Sequence, residues 1–327
     1  MDILGYPYII NGWLIIKDIQ DYEDRNQEVT ANRVNAWILA VRPKTLPAAI
    51  SPVIVGSALA FKYSVLNLTV AIAALFTALL LQIGANLAND VFDFYKGADI
   101  SERLGPVRVT QAGLLSPKEV LVGMWITFAA AGFIGFFLFL QVGWPVLVIG
   151  LLSIVAAIAY TGGPFPLGYY GLGDLTVFIF FGPVAVCGTY FIQAYRLDFP
   201  VFIASIPIGL LITAILVVNN LRDIKTDEAV GKKTLAVMLG VRSTRYEYMI
   251  CLLLSFVFPI FMLLFGYVSV WVVLVMLALP FAFSLIRSVW QDIGRTLNRT
   301  LAGTGQLVLV FSLLFSVGII IPVMIVF

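Results

Sequence analysis

From residue 36 onward the chain alternates long apolar runs with short polar connections. The runs fall at roughly 45–61, 66–89, 120–140, 145–160, 172–194, 200–219, 248–265, 268–286 and 301–326. A helix of about 20 apolar residues crosses the ~30 Å hydrocarbon layer of a bilayer. The pattern therefore predicts an all-α integral membrane fold, with nine transmembrane helices forming one bundle over residues 33–327. The fourth run is short, and the first carries Pro47 and Pro52, which neighbouring helices accommodate inside a membrane. Residues 1–32 break the pattern. An apolar patch from Tyr8 to Ile16 is too short to span, and a polar, acidic stretch from Lys17 to Thr30 follows it. Neither the basic start nor the small-residue cleavage site of a signal peptide is evident. An interfacial or disordered N-terminal extension is expected there.

Composition agrees with a membrane protein. Of the 327 residues 61% are apolar and 12% charged, about half the charge of a soluble domain, and the mean hydropathy is +1.01. Histidine is absent, which removes the commonest general base and the commonest zinc and haem ligand. The two cysteines, Cys187 and Cys251, lie inside apolar runs and suggest neither a disulfide framework nor a thiolate site. A net charge of +2 is too small to argue for nucleic acid. Chemistry here must rest on Asp, Glu, Asn, Lys, Arg or Tyr.

Charge also predicts orientation. With the N-terminus cytoplasmic, the inner connections hold Arg42 and Lys44, then Lys96, Arg103, Arg108 and Lys118, and further on Arg222, Lys225, Lys232, Lys233, Arg242 and Arg245. The last inner connection holds Arg287, Arg295 and Arg299, whereas the outer ones hold little beyond Lys62 and Arg196. This asymmetry follows the positive-inside rule and places the C-terminus outside. The long inner connections, 94–118 and 220–246, carry most of the polar chemistry, so function is expected at the cytoplasmic face of a cell membrane.

Two acidic stretches stand out. After the second run comes Asn86-Leu-Ala-Asn89-Asp90-Val-Phe-Asp93, continuing to Lys96-Gly97-Ala-Asp99. Asn86, Asp90 and Asp93, at i, i+4 and i+7, share one helical face. The sixth run ends in Asn219-Asn220-Leu-Arg222-Asp223-Ile-Lys225-Thr-Asp227, and Asn219, Asp223 and Asp227 again share a face. Acids at membrane depth are costly without a partner. A hard divalent cation such as Mg²⁺ is the natural partner for converging carboxylates and amides, and it commonly completes its shell with substrate phosphates. Basic residues follow both stretches, Arg103 and Arg108 after the first and Lys232 and Lys233 after the second, as a diphosphate requires. Tyr160, Tyr169 and Tyr170 are candidates to line a cation-bearing site, although interfacial tyrosines also serve as ordinary belt residues.

Paired acidic motifs on the second and sixth of nine spans resemble those of the UbiA-type membrane prenyltransferases. The usual first motif of that superfamily is Asn-Asp-x-x-Asp-x-x-x-Asp. Asn89, Asp90 and Asp93 match it, but Gly97 occupies the last position and the next acid is Asp99. Asp223 and Asp227 meet the second motif. Of a Tyr-x-x-x-Lys element found in many members only Tyr160 is present, with Pro164 in place of the Lys. Arg42-Pro43-Lys44-Thr45-Leu46-Pro47, Gly105-Pro106-Val-Arg108, Gly171-Leu-Gly173-Asp174 and Gly231-Lys232-Lys233-Thr234-Leu235 are similar to the 1,4-dihydroxy-2-naphthoate polyprenyltransferase branch.

The resemblance implies transfer of a polyprenyl chain from its diphosphate to 1,4-dihydroxy-2-naphthoate, with loss of diphosphate and CO₂, in menaquinone synthesis. It implies Mg²⁺ held by Asp90, Asp93, Asp223 and Asp227. The diphosphate would be met by Asn86, Asn219, Asn220, Arg103, Arg108, Lys232 and Lys233, and the aromatic acceptor by Arg42, Lys44, Tyr160 and Asp174. Asp174 also opens a helix, where an acid favours the dipole without any catalytic reason. Another aromatic acceptor such as 4-hydroxybenzoate remains the alternative, with Pro164 and the Lys96–Asp99 variant against it. A CDP-alcohol phosphotransferase also uses Asp-x-x-x-Asp in a membrane, but its upstream Asp-Gly-x-x-Ala-Arg element is absent before Asp223 in this sequence. A cation transporter is expected to keep its acids near the bilayer midplane, whereas here they cluster at one face.

Overall fold

A computed structural model describes residues 33–98 and 104–326. The N-terminal extension, Asp99 and Arg103 lie outside the described residues. Among those described there is no β-strand; ten helical elements make up the bundle. They are α1 (Arg33–Val41), α2 (Leu46–Lys62), α3 (Leu68–Tyr95), α4 (Pro117–Val142), α5 (Trp144–Ala159), α6 (Gly173–Ala194), α7 (Phe199–Ala229), α8 (Leu235–Leu264), α9 (Val270–Gln291) and α10 (Leu297–Val326). Eight stretches are long and apolar enough to cross a membrane, with α1 and α2 counting as one. Of the nine expected spans, α5 is the one outside these eight. It has 16 residues, about 24 Å of helix, short of a full hydrocarbon thickness.

The helices also run further than the apolar runs. α3 continues through the first acidic stretch to Tyr95, and α7 through the second to Ala229. Both end on a glycine in the left-handed region, Gly97 (φ 64°) and Gly231 (φ 75°). A glycine just past the helix end reverses the chain at no Cβ cost. After Gly97 the Ala98 N–H donates to the Asp93 carbonyl (2.9 Å), and after Gly231 the Lys232 N–H donates to the Asp227 carbonyl (2.9 Å). Lys232 is thereby folded back towards Asp227 of its own helix. Gly97 stands where the common motif has its last acid, and a side chain there would be strained.

α7 is the central helix. Most of its membrane stretch is buried, and its Val201, Ile208, Leu211 and Val218 join the main core with Leu59, Tyr190, Leu252 and Phe311 from its neighbours. It crosses α6 on paired glycines: a Cβ at Gly182 would lie 2.9 Å from the Gly209 Cα. Small residues let two membrane helices approach this closely. Pro183 lacks the N–H an α-turn needs, and α6 passes through a π-helical stretch, Phe180–Cys187, around it.

A second core lies beneath the first acidic stretch. Val109 and Leu115, fully buried in the loop before α4, pack on Leu87, Ala88 and Val91 of α3. That loop hands over to α4 through a capping box between Ser116 and Glu119.

Candidate active site

The first acidic face forms as its spacing predicts. Asn86, Asp90 and Asp93 are all buried, the two acids at 1% exposure. A buried carboxylate needs donors on its lone pairs, and each acid has them. Asp90 accepts the backbone N–H groups of Val109 (3.3 Å) and Thr110 (3.0 Å), with the Arg42 guanidinium 3.8 Å away. Asp93 accepts Arg108 Nη2 on Oδ2 (2.9 Å) and the Tyr169 hydroxyl on Oδ1 (2.8 Å). Lys232 Nζ lies 3.5 Å from the same Oδ1 and 3.9 Å from Asp227 Oδ1. One ammonium thus stands between an acid of α3 and an acid of α7, so the two acidic motifs face each other.

Tyr169 is central to this arrangement. The Lys96 and Lys232 ammonium groups lie 4.8 and 4.7 Å from its ring centroid, and its carbonyl accepts the Lys233 N–H (3.0 Å). Partial desolvation lowers the Lys96 ammonium below its usual range; Asp93 opposes that shift and Lys232 adds to it. Tyr169 was one of three candidate tyrosines, and only its position in the fold singles it out. Tyr170 instead stacks on Phe165 (4.1 Å) and is exposed. Tyr160 packs between glycines: a Cβ at Gly173 would meet its hydroxyl at 2.9 Å and one at Gly168 its ring at 3.0 Å.

The second acidic face is held differently. Arg222, counted by sequence with the surface bases, has a fully buried side chain. Its Nε donates to Asp223 Oδ1 (2.8 Å) and its Nη2 to Asp223 Oδ2 and to Asn219 (2.8 Å). A planar guanidinium matches a carboxylate in this two-point fashion. Its Nη1 reaches Asn298 Oδ1 on α10 (2.7 Å). Nothing in the apolar pattern pointed to Asn298. Asn220 is buried on the same helix.

Four other expected site residues have different surroundings. The Asn86 amide donates to the Val41 carbonyl (2.9 Å) and Thr45 Oγ1 (3.0 Å), so it fastens the break between α1 and α2. That break, where Arg42 adopts φ 54°, is what turns Arg42 towards Asp90. Lys44 and Lys233 are exposed, and among the described residues neither forms an ion pair with an acid. Asp174 is buried in the first turn of α6, beside Tyr160.

Behind the polar end lies an apolar cavity of about 500 Å³. Asn86, Asn89 and Tyr160 close one end, and it extends along α3 to Ala74, about 22 Å of helix, towards Leu138, Val146 and Ile192. Asn89 is fixed there by the Thr161 hydroxyl (3.0 Å). Gly132, Gly135, Gly150 and Gly188 line the wall, and a Cβ at any of them would meet nothing within 4 Å. No packing demands these glycines; they leave width.

Among the described residues no three acids gather into a cluster able to hold a metal alone. The donor chemistry nevertheless fits Mg²⁺, which takes hard oxygens and is usually held by one or two carboxylates plus substrate phosphates.

An all-helical membrane bundle, with opposed acidic helix ends and flanking Arg and Lys over an apolar cavity, has the form of an enzyme acting on an amphiphile with an anionic head. The chain belongs to the UbiA prenyltransferase family, whose model matches residues 49–302. It is 40% identical to the 1,4-dihydroxy-2-naphthoate octaprenyltransferase of Escherichia coli, over 89% of this chain and 97% of that protein. It is 38% identical to the Mycobacterium tuberculosis protein of the same name, over 85% and 94%. Its fold is similar to a UbiA homolog from Archaeoglobus fulgidus bound to GPP and Mg²⁺, with TM-score 0.62, 14% identity, and coverage of 87% of this chain and 99% of that one.

Proposed function

We propose that this protein transfers a polyprenyl chain from polyprenyl diphosphate to 1,4-dihydroxy-2-naphthoate, releasing diphosphate and CO₂ and yielding demethylmenaquinol, the reduced form of demethylmenaquinone. The observation that carries the reading is Lys232 standing between Asp93 and Asp227, supported by the names of the bacterial relatives. Asp90, Asp93, Asp223 and Asp227 would hold Mg²⁺, which when bound would supply charge neutralisation for the diphosphate leaving group.

The chain's own residues do the rest. Arg108, Lys232 and Lys96 exchange their contacts with Asp93 and Tyr169 for the diphosphate oxygens as charge builds on them. The prenyl C–O bond breaks with both electrons leaving on the diphosphate. The apolar cavity keeps water from the allylic cation. The ring carbon bearing the carboxyl attacks, and the electrons of its bond to CO₂ restore aromaticity as CO₂ leaves. Arg42 and the Tyr160 hydroxyl orient the acceptor, with Asp174 beside Tyr160. Asn219 and Asn220 support the second acidic face.

In the membrane α5 serves as a short ninth span. The N-terminus and the acidic ends face the cytoplasm and the C-terminus lies outside, as the basic connections require.

The test is to incubate purified protein with Mg²⁺, several prenyl diphosphates and both 1,4-dihydroxy-2-naphthoate and 4-hydroxybenzoate, then identify the lipid product by mass spectrometry. Prenylated, decarboxylated naphthol is expected. EDTA should stop its formation and added Mg²⁺ restore it. Prenylated hydroxybenzoate alone would overturn the acceptor assignment.

The cavity wall yields a separate expectation. Gly135→Phe or Gly150→Phe fills open width, and should lower kcat/KM for a long-chain prenyl diphosphate by about 10-fold or more. Geranyl diphosphate should be much less affected. An equal loss for both lengths would place the tail elsewhere.

A further inference from the structure

The two acidic motifs are joined by an unbroken polar strut that runs through the last helix. Arg222 grips Asp223 and passes its Nη1 to Asn298 Oδ1 (2.7 Å). The other end of the same amide, Asn298 Nδ2, donates to the Leu104 carbonyl (3.0 Å). From Leu104 the chain runs through the Gly105-Pro106 turn to Arg108, which holds Asp93, and on to the Val109 and Thr110 N–H groups that hold Asp90. Asp223 of α7 and the acids of α3 are thus connected through one side chain of α10.

We propose that Asn298 is a positioning residue that sets the placement of the loop carrying Arg108 relative to the second acidic motif, and so the fit of the site to its diphosphate. The amide suits the task because it accepts and donates at once. Its oxygen faces an always-charged guanidinium and its nitrogen faces a carbonyl. A carboxylate at 298 would keep the Arg222 contact and lose the Leu104 contact; an alanine would lose both. The Gly-Pro turn makes the link between Leu104 and Arg108 short and stiff, so a shift at one end is passed to the other.

The inference rests on a prenyl diphosphate being the ligand of this site, but not on which acceptor is used. Its test therefore reads binding of a non-reactive prenyl thiolodiphosphate with Mg²⁺ to the full chain in nanodiscs. Asn298→Ala is expected to raise Kd about 10-fold, equivalent to about 1.4 kcal/mol. Asn298→Asp is expected to raise it too, while melting close to the wild type because Arg222 keeps its partner. In an Arg108→Ala background, Asn298→Ala should add less than about twofold, since side chains acting through one another do not add.

Multiplying effects in that double variant, or wild-type binding by Asn298→Asp, would overturn the proposal. If the wild-type protein binds the analogue but prenylates another acceptor, only the acceptor assignment falls. If it binds no analogue, both fall.

Discussion

Asp93→Asn is expected to lower prenyl transfer by about 10²–10³-fold, the loss typical of removing one preorganised electrostatic group from an active site. Asp93 is where the site converges: Arg108, Tyr169 and Lys232 all meet its two oxygens. Asparagine keeps the shape and one acceptor but removes the charge on which those cations are gathered. The substitution also leaves the buried Arg108 without its carboxylate, so stability must be measured alongside kcat. Asp93→Asn with Arg108→Gln restores neutrality. Recovered melting in that double variant would assign the stability loss of Asp93→Asn to the unpaired guanidinium; Asp93→Asn that melts like the wild type yet turns over slowly has lost chemistry. Turnover within about fivefold of wild type in Asp93→Asn would remove Asp93 from the proposed machinery.

Arg222→Met is expected to give the largest loss of stability, about 3–5 kcal/mol, because it strands the buried Asp223 charge. The same change unpairs Asn219 and Asn298. Replacing both members of the pair, Arg222→Met with Asp223→Asn, should recover most of that loss, since a neutral pair has far less to desolvate. Unfolding in mixed detergent micelles measures both variants. If Arg222→Met melts like the wild type, the guanidinium is not holding Asp223 in the membrane. The pairing also shapes how an alanine at 223 must be read. Asp223→Ala leaves a buried guanidinium behind, so lost activity there mixes chemistry with folding, and Asp223→Asn is the cleaner substitution.

Much of this was legible along the chain. Long apolar runs located every major helix, because in lipid a backbone has to satisfy its own hydrogen bonds. The i, i+4, i+7 spacing placed Asn86, Asp90 and Asp93 on one face, and the structure buries them together. Helix ends were less legible. α3 and α7 outrun their apolar stretches because a single polar stripe does not stop a helix; a left-handed glycine does. α8 begins at Leu235, ahead of the expected 248, with its kink at Gly240. Partners were least legible of all. Arg222 read as a topological surface charge, yet an arginine within a membrane helix, next to an aspartate, is buried against it. That the Asn86 amide also fastens the α1–α2 break could not be read from its spacing.

The order of amino acids by itself determined the membrane class, the two acidic motifs and the family, because hydrophobic length and helical spacing are local properties. It also determined that no histidine takes part. Only the tertiary structure decided which tyrosine meets Asp93, that Lys232 stands between Asp93 and Asp227, and that Asn298 joins the two halves. Apart from the approach of Lys232 to Asp227, these contacts link residues 76 to 194 positions apart, and helix packing rather than spacing along the chain sets which side chains meet at such separations.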